Sequence, residues 1–177
     1  MRKLIAVLLV GFFGCQDTLD LPDSYWGEAT AEIDGQVRKY APYAVINSFI
    51  PDRINFNFDR FDNDRIHRQA LYIYKVPIEV GVYPLVNTGS RDIDEQTGGV
   101  YDLLVGDGHV LGDTYYINLG DDTGEYIEIT RIEGDQIWGK FQLSMYRRNK
   151  DLGPSPYGEP DYITFTNGEF HTRLWEP

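Results

Sequence analysis

Cysteine and histidine are both scarce in this sequence of 177 residues. Cys15 is the only cysteine, so no intrachain disulfide can form and the hydrophobic core alone must hold a folded domain together. The three histidines (His67, His109 and His171) are far apart in sequence, and no two have the spacing of a zinc-binding motif. A nucleophile elbow and a phosphate-binding loop are also lacking. The sequence therefore predicts no catalytic residue, no metal site and no cofactor.

Basic residues are few as well. Sixteen Lys and Arg stand against 28 Asp and Glu, and the formal net charge is −12 at pH 7. Nucleic acids and anionic lipids attract cationic side chains, so we expect no nucleic-acid partner and no adsorption of the domain's own surface to a membrane. Acidic residues cluster in segments 59–64, 92–95 and 121–125, none of which has the pattern of an EF-hand calcium loop. Calcium binding by one of these loops stays an open alternative.

Hydrophobic runs are short. The longest comprises residues 4–13, which are ten apolar or glycine residues that follow Arg2 and Lys3. A membrane-spanning helix needs about 20 apolar residues, so this run is too short to cross a bilayer. Its length and its basic flank are typical of a secretory signal peptide. We therefore predict that residues 1–14 are a signal peptide.

The predicted signal peptide ends at the cysteine. Residues 12–15 (Phe-Phe-Gly-Cys) resemble a lipobox, and this resemblance implies cleavage before Cys15 and attachment of a lipid to its thiol. The polar, proline-containing segment that follows predicts a tether over 15–24 and a folded domain over 25–177. An ordinary secretory signal with a coincidental cysteine is the alternative. The anchor predicts a location in the cell envelope, at the outer membrane, without indicating which side.

The sequence also lacks amphipathic helices, because no segment shows apolar residues at a period of 3.6. Apolar and polar residues instead alternate in short segments separated by turn-forming pairs such as Asp34-Gly35. The predicted strands cover residues 29–33, 37–41, 54–58, 71–76, 81–85, 100–105, 115–119, 126–132 and 137–145, followed by a closing hairpin over 163–174 that turns at Asn167-Gly168. About nine or ten antiparallel strands predict a single all-β domain, either a β-sandwich or a β-barrel.

Strict alternation between residues 136 and 146 predicts a strand with two different faces. On the core face, Gly139 is expected to leave room for a bulky neighbour. The apolar residues of that face are Ile137, Phe141, Leu143 and Met145.

The opposite face of the same strand carries Trp138 and Tyr146, and Tyr126 of the preceding strand can join them. If the three rings are exposed together, they are a candidate ligand-stacking site for a sugar. Ordinary packing beneath a neighbouring loop is the alternative for each ring.

Five segments carry strand and turn signatures that occur together elsewhere: residues 28–36 (Glu-Ala-Thr-Ala-Glu-Ile-Asp-Gly-Gln), 81–85 (Gly-Val-Tyr-Pro-Leu), 124–130, 139–141 and 163–170. In these segments the chain resembles a family of uncharacterised lipoproteins from Bacteroidota. The resemblance implies a lipid-anchored all-β domain. It brings no active site, because the family is a domain of unknown function.

These observations favour a lipid-anchored envelope protein with a non-enzymatic binding or structural role. Its expected partners are the membrane, through the lipid on Cys15, and a glycan or another envelope protein. A glycan-binding module or a glycan-acting hydrolase at the cell surface is the alternative, since a pair of catalytic carboxylates carries no local signature. A small inhibitor or immunity-like protein is a third class that is compatible with the acidity.

The variant Cys15→Ser tests the predicted anchor. Without the thiol no lipid can be attached, so the variant should leave the membrane fraction or keep an uncleaved signal peptide. Cell fractionation and mass analysis of the N-terminus measure both outcomes, and Gln16→Ser is a control that keeps the thiol. A normally cleaved Cys15→Ser protein that stays with the membrane would contradict the anchor.

Overall fold

The computed structural model describes residues 21–89, 92, 94–120 and 124–175, so the predicted signal peptide and Cys15 lie outside the described residues. Within this part of the chain the only helical element is a 3-10 turn at Lys150–Leu152, and no helix is long and apolar enough to cross a membrane. The strands are β1 (Glu28–Ile33), β2 (Gln36–Ile46), β3 (Arg53–Phe61), β4 (His67–Pro77), β5 (Gly81–Pro84), β6 (Gly98–Val105), β7 (Val110–Ile117), β8 (Tyr126–Glu133), β9 (Gln136–Arg147) and β10 (Tyr162–Arg173).

Eight of these strands form a closed antiparallel barrel in the order β10-β1-β2-β3-β4-β6-β7-β9, and β10 closes the ring because it pairs with both β1 and β9. The other edge of β9 is shared, because its first half pairs with β8 and its last residues pair with β7. β5 pairs with the far edge of β8, so these two strands extend the sheet outside the ring. The predicted all-β fold is confirmed, and of the two architectures that the sequence left open it is the barrel.

Side chains fill the interior of the barrel. Inward-pointing residues alternate along each strand with outward-pointing ones, as in other small barrels. The rings of Phe58 and Phe141 stack at 5.0 Å, and those of Phe56 and Phe170 also lie 5.0 Å apart. Burial of each such side chain contributes about 2 kcal/mol. The largest fully buried rings are Phe56, Phe58, Tyr101, Tyr115, Phe141 and Phe165.

β9 has the two faces that its alternation predicts. All four apolar residues of the predicted core face are buried: Ile137, Phe141, Leu143 and Met145. Gly139 lies directly across from Phe170 on β10, and a Cβ atom at Gly139 would be 2.3 Å from the Phe170 ring and 2.2 Å from the Glu128 carbonyl oxygen. The glycine therefore makes room for a ring, as its position in the strand indicated.

The predicted closing hairpin at Asn167-Gly168 is wrong. β10 runs without a turn from Tyr162 to Arg173, and its register against β9 slips between Phe165 and Gly168. Asn167 has a φ of 51°, and the pair forms a β-bulge. A positive φ at Asn followed by Gly suits a bulge as well as a tight hairpin turn, and local sequence does not distinguish them.

Close packing at Gly139 is tested by Gly139→Ala. The added methyl group meets backbone on one side and the Phe170 ring on the other, so the free energy of unfolding should fall by about 3 kcal/mol, at the upper end of over-packing effects. Urea denaturation measures the change. Gly120→Ala is the matched control, because a Cβ atom there would have no neighbour closer than 3.5 Å. Equal stabilities of the two variants would contradict the packing described for β9.

Candidate functional site

One outward-facing row of side chains crosses most of the barrel surface. Each member is the direct cross-strand partner of the next, and such partners lie on the same face of a sheet. Five of the seven members are tyrosines, whereas the inward neighbours of the row are core residues such as Leu71. We call this set the tyrosine row: Tyr43, Asn57, Tyr72, Val100, Tyr116, Tyr146 and Tyr162.

Two depressions lie along the middle of the tyrosine row. The first, of about 350 Å³, is lined by Tyr72 and Asp102 among others, and the second, of about 410 Å³, by Tyr116 and Tyr146. Tyr74 and Val100 line both, so the depressions lie side by side. We call them together the tyrosine groove. Amide, hydroxyl and carboxyl groups of Asn55, Asn57, Asn87, Thr88, Asp92 and Asp102 alternate with its tyrosine rings.

The polar groups of the first depression are held in place. The Asn57 amide donates a hydrogen bond of 2.5 Å to the Tyr43 hydroxyl, and the Thr114 hydroxyl donates one of 2.7 Å to Asp102. Burial raises the pKa of Asp102, although the hydrogen bond from Thr114 opposes the shift. Burial raises the pKa of Tyr72 as well, with the negative charges of Asp59 and Asp102 adding to the effect. The Tyr72 hydroxyl therefore keeps its proton at neutral pH and can donate it in a hydrogen bond.

A buried lysine fixes the loop that walls the second depression. Lys75 is fully buried on β4, has a φ of 63° and lies at a bulge opposite Asn55. Its ammonium donates to the Thr88 hydroxyl and to a carboxylate oxygen of Asp94, both at 3.0 Å, and to the Asp94 carbonyl oxygen at 3.1 Å. The Tyr74 hydroxyl donates to the Thr88 carbonyl oxygen. Barrel and loop are thus joined beneath the groove.

The three aromatic residues proposed from the sequence do not come together. Only Tyr146 lines the groove, whereas Trp138 lies eight residues earlier on β9. The His171 ring stacks on Trp138 at 4.1 Å, and the Arg131 guanidinium carbon lies 3.6 Å from the indole centroid. These neighbours come from the strands on either side of β9, so both indole faces are occupied. Tyr126 pairs with Gln142 and Pro84 and does not line the groove.

The structure brings together groove residues that the sequence did not single out, among them Tyr72 and Tyr116. Their partnership with Tyr146 depends on pairing between β6, β7 and β9, which local sequence does not reveal. A usable signal was present at residues 71–76, where Tyr72 and Tyr74 alternate with core residues and Lys75 interrupts an apolar run. A strand that is aromatic on its outward face is unusual for a sheet exposed to water.

Where the structure describes the acidic loops and the histidines, they do not assemble into a metal centre; residues 121–123 lie outside the described residues. Across the described ranges, no group of three or more His, Cys, Asp or Glu side chains has an arrangement that would hold a metal ion. His67 stacks on Phe61, and its Nε2 atom lies 3.4 Å from the Asp59 carboxylate. His171 is occupied by Trp138 and Gln136.

Comparisons with known proteins give no relative: no protein-family model, no curated protein and no solved structure matches this chain. The resemblance to Bacteroidota lipoproteins therefore stays a prediction from sequence.

The contribution of Lys75 is tested by Asp94→Asn, which leaves the buried ammonium without its compensating charge. The hydrogen bond from Lys75 lowers the pKa of Asp94 below the ordinary value of 3.8, so the pair stabilises the fold above that pH. The stabilisation is lost as the pH falls through the lowered pKa. We therefore expect Asp94→Asn to reduce the melting temperature at pH 7, and the difference from the parent protein to shrink in acid.

The matched control is Asp151→Asn, which removes the same charge from an exposed pair with Lys150. Exposed pairs contribute little to stability, so its melting temperature should stay close to that of the parent protein at every pH. Equal melting temperatures for the two variants at pH 7 would contradict the importance of the buried pair.

Proposed function

We propose that this protein is a non-enzymatic, lipid-anchored envelope protein that binds a glycan in the tyrosine groove. The anchor comes from the sequence, through the predicted lipid on Cys15. The ligand class is inferred from the chemistry of the groove.

The observation that supports glycan binding is the set of outward tyrosine rings interleaved with amide and carboxyl groups. A sugar ring has an apolar C–H face and a rim of hydroxyl groups. Half-buried rings such as Tyr72 and Tyr116 offer the apolar face a partner at a low cost in side-chain entropy. Asn57 and Asp102 beside them supply hydrogen-bonding groups for the hydroxyls.

Charge selects among glycans. Asp92 and Asp102 line the groove, and the whole chain carries a net charge of −12. A polyanionic glycan would be repelled by this surface, since charge complementarity governs which partners can approach. The groove is therefore suited to a neutral oligosaccharide chain that runs across the strands.

A glycan-acting hydrolase is the second candidate, because the raised pKa of Asp102 is a property of a general acid. Glycoside hydrolysis uses two carboxyl groups. The other carboxylate of the groove, Asp92, accepts a hydrogen bond of 2.5 Å from the Gly89 amide and closes a turn. This structural use of Asp92 favours binding over catalysis.

Isothermal titration with neutral hexasaccharides (maltohexaose, cellohexaose and xylohexaose) tests the proposal. Tyr72→Ala and Tyr116→Ala should each weaken binding about tenfold, because loss of a stacking ring costs about 1.4 kcal/mol. Tyr157→Ala is the matched control, since Tyr157 is exposed but does not line the groove. Melting temperatures show whether each variant is folded.

Two results would contradict the proposal. Binding that Tyr157→Ala weakens as much as Tyr72→Ala would place the glycan elsewhere, and absence of binding to all neutral oligosaccharides would remove the ligand class. If the parent protein releases reducing ends from an oligosaccharide and Asp102→Asn does not, the protein is a hydrolase instead.

A further inference from the structure

A second pocket opens at one end of the barrel, away from the tyrosine groove. β2 and β3 pair only between Ala41 and Ile46 on one strand and Asp59 and Ile54 on the other. Beyond this point the first half of β2 pairs with β1 alone, and the end of β3 faces it across an opening. The opening holds a pocket of about 720 Å³, which is larger than either part of the tyrosine groove.

Two arginines and a tyrosine lie on the inner face of the strands that border this pocket. Arg38 and Tyr40 pair with Ala31 and Ala29, which are buried in the barrel, and the small alanine side chains leave space beside them. Arg60 follows the core residue Phe58 by two positions on β3 and therefore has the same orientation. All three residues line the pocket.

The cations of this pocket form no ion pair with any residue that the structure describes. Among the described residues no carboxylate lies within ion-pair distance of Arg38, Lys39 or Arg60, although acidic residues greatly outnumber basic ones in the chain. One consequence of this arrangement is a local excess of positive charge. A charge that is held in a partly enclosed site without a counter-ion attracts an anion.

Two acidic residues lie close enough to the pocket to affect the charge of Arg38 and Arg60. Asp59 lines the pocket, but its carboxylate accepts a hydrogen bond of 2.5 Å from Tyr25 and lies 3.4 Å from His67. Glu159 raises and Arg38 lowers the pKa of the buried Tyr101 hydroxyl, and the two residues form no ion pair with each other. Neither residue neutralises the two arginines.

The buried Tyr40 hydroxyl is a second, independent observation that points to a ligand in this pocket. Tyr40 is 5% exposed, and its hydroxyl has no hydrogen-bond partner among the residues that the structure describes. Burial raises its pKa to about 12, despite the opposing charges of Arg38 and Arg60, so the hydroxyl remains a donor at neutral pH. Buried hydroxyl groups nearly always have a partner, and one without a partner costs about 1–3 kcal/mol. An acceptor that enters the pocket would remove this cost.

We infer that this pocket binds an organic anion whose carboxylate or phosphate head is held by Arg38, Arg60 and Tyr40. The pocket passes between the two strands, so the apolar part of the ligand lies at its outer side, against Val37 and Phe61, which alternate with the two arginines. Arginine suits both head groups, because its planar guanidinium donates paired hydrogen bonds to carboxylate and phosphate oxygens. This site is separate from the tyrosine groove and does not depend on the glycan proposal.

Anilinonaphthalene sulfonate, an aromatic anion whose fluorescence rises in apolar sites, is the probe for a titration at low ionic strength. Arg38→Gln and Arg60→Gln should each weaken its binding about tenfold, which is the loss expected for one charged hydrogen bond. Lys140→Gln is the matched control, because it removes one positive charge from the exposed pair with Glu169 on the outside of the barrel. Added salt should weaken binding to the parent protein.

Tyr40→Phe separates ligand binding from structure. Removal of an unpartnered hydroxyl should leave the melting temperature unchanged or raise it, whereas probe binding should fall about tenfold. Displacement of the probe by decanoate, by decyl phosphate or by inorganic phosphate then distinguishes a carboxylate, an organic phosphate and a free phosphate as the ligand.

Four results would overturn the inference. The first three are absence of probe binding at low salt, equal binding by Arg60→Gln and Lys140→Gln, and full binding by Tyr40→Phe. Probe binding that Tyr72→Ala weakens and Arg38→Gln does not would place the anion in the tyrosine groove and would also overturn it. Since Tyr72 and Tyr116 do not line this pocket, failure of the glycan proposal leaves the anion site untouched, and the reverse also holds.

Discussion

The buried ammonium of Lys75 is the interaction on which the tyrosine groove depends. Removing a charge from water costs several kcal/mol unless partners replace the lost hydration. The described part of segment 85–97 supplies those partners through Thr88 and Asp94, so the loop is held where the lysine requires it. At the bulge two residues of β4 stand opposite Asn55, and the extra residue is accommodated without turning Tyr72 inward. Lys75 therefore holds both the loop at one side of the groove and the strand β4 beneath it.

Two surfaces of opposite electrostatic character result from the same barrel. The tyrosine groove lies over continuous strand pairing and carries the acidic side chains of Asp92 and Asp102. The pocket at the barrel end lies where pairing stops and gathers Arg38 and Arg60. The two proposed ligands, a neutral chain and a small anion, therefore match different surfaces by charge, because the groove carries carboxyl groups whereas the pocket carries guanidinium groups.

The sequence predicted the strands well and their neighbours poorly. Alternation is a local property, so the core face of β9 and the space at Gly139 could be recognised from residues 136–146 alone. Closure of the ring could not be recognised from sequence, since it depends on pairing between segments that are far apart in the chain. The same limit explains the candidate site. Tyr146 was identified on its strand. Its neighbours in the groove, on β4 and β7, are determined by the register of strand pairing and could not be identified from local sequence. Asn167 shows that even a local turn signal has two structural outcomes.

The pairing of β1 with β10 has a consequence for how the protein forms. Glu28 lies opposite His171, so the contact that completes the ring joins strands from nearly the two ends of the described chain. The entropy of closing so long a loop is lost before the contact is gained, which makes folding slow for topologies of this kind. During synthesis β1 and β2 are made first, so one edge of β1 remains unpaired until β10 has been made. Glu28 and Glu32 place negative charges on β1. Repulsion between like charges disfavours pairing of its open edge with a second copy of the chain before β10 is in place.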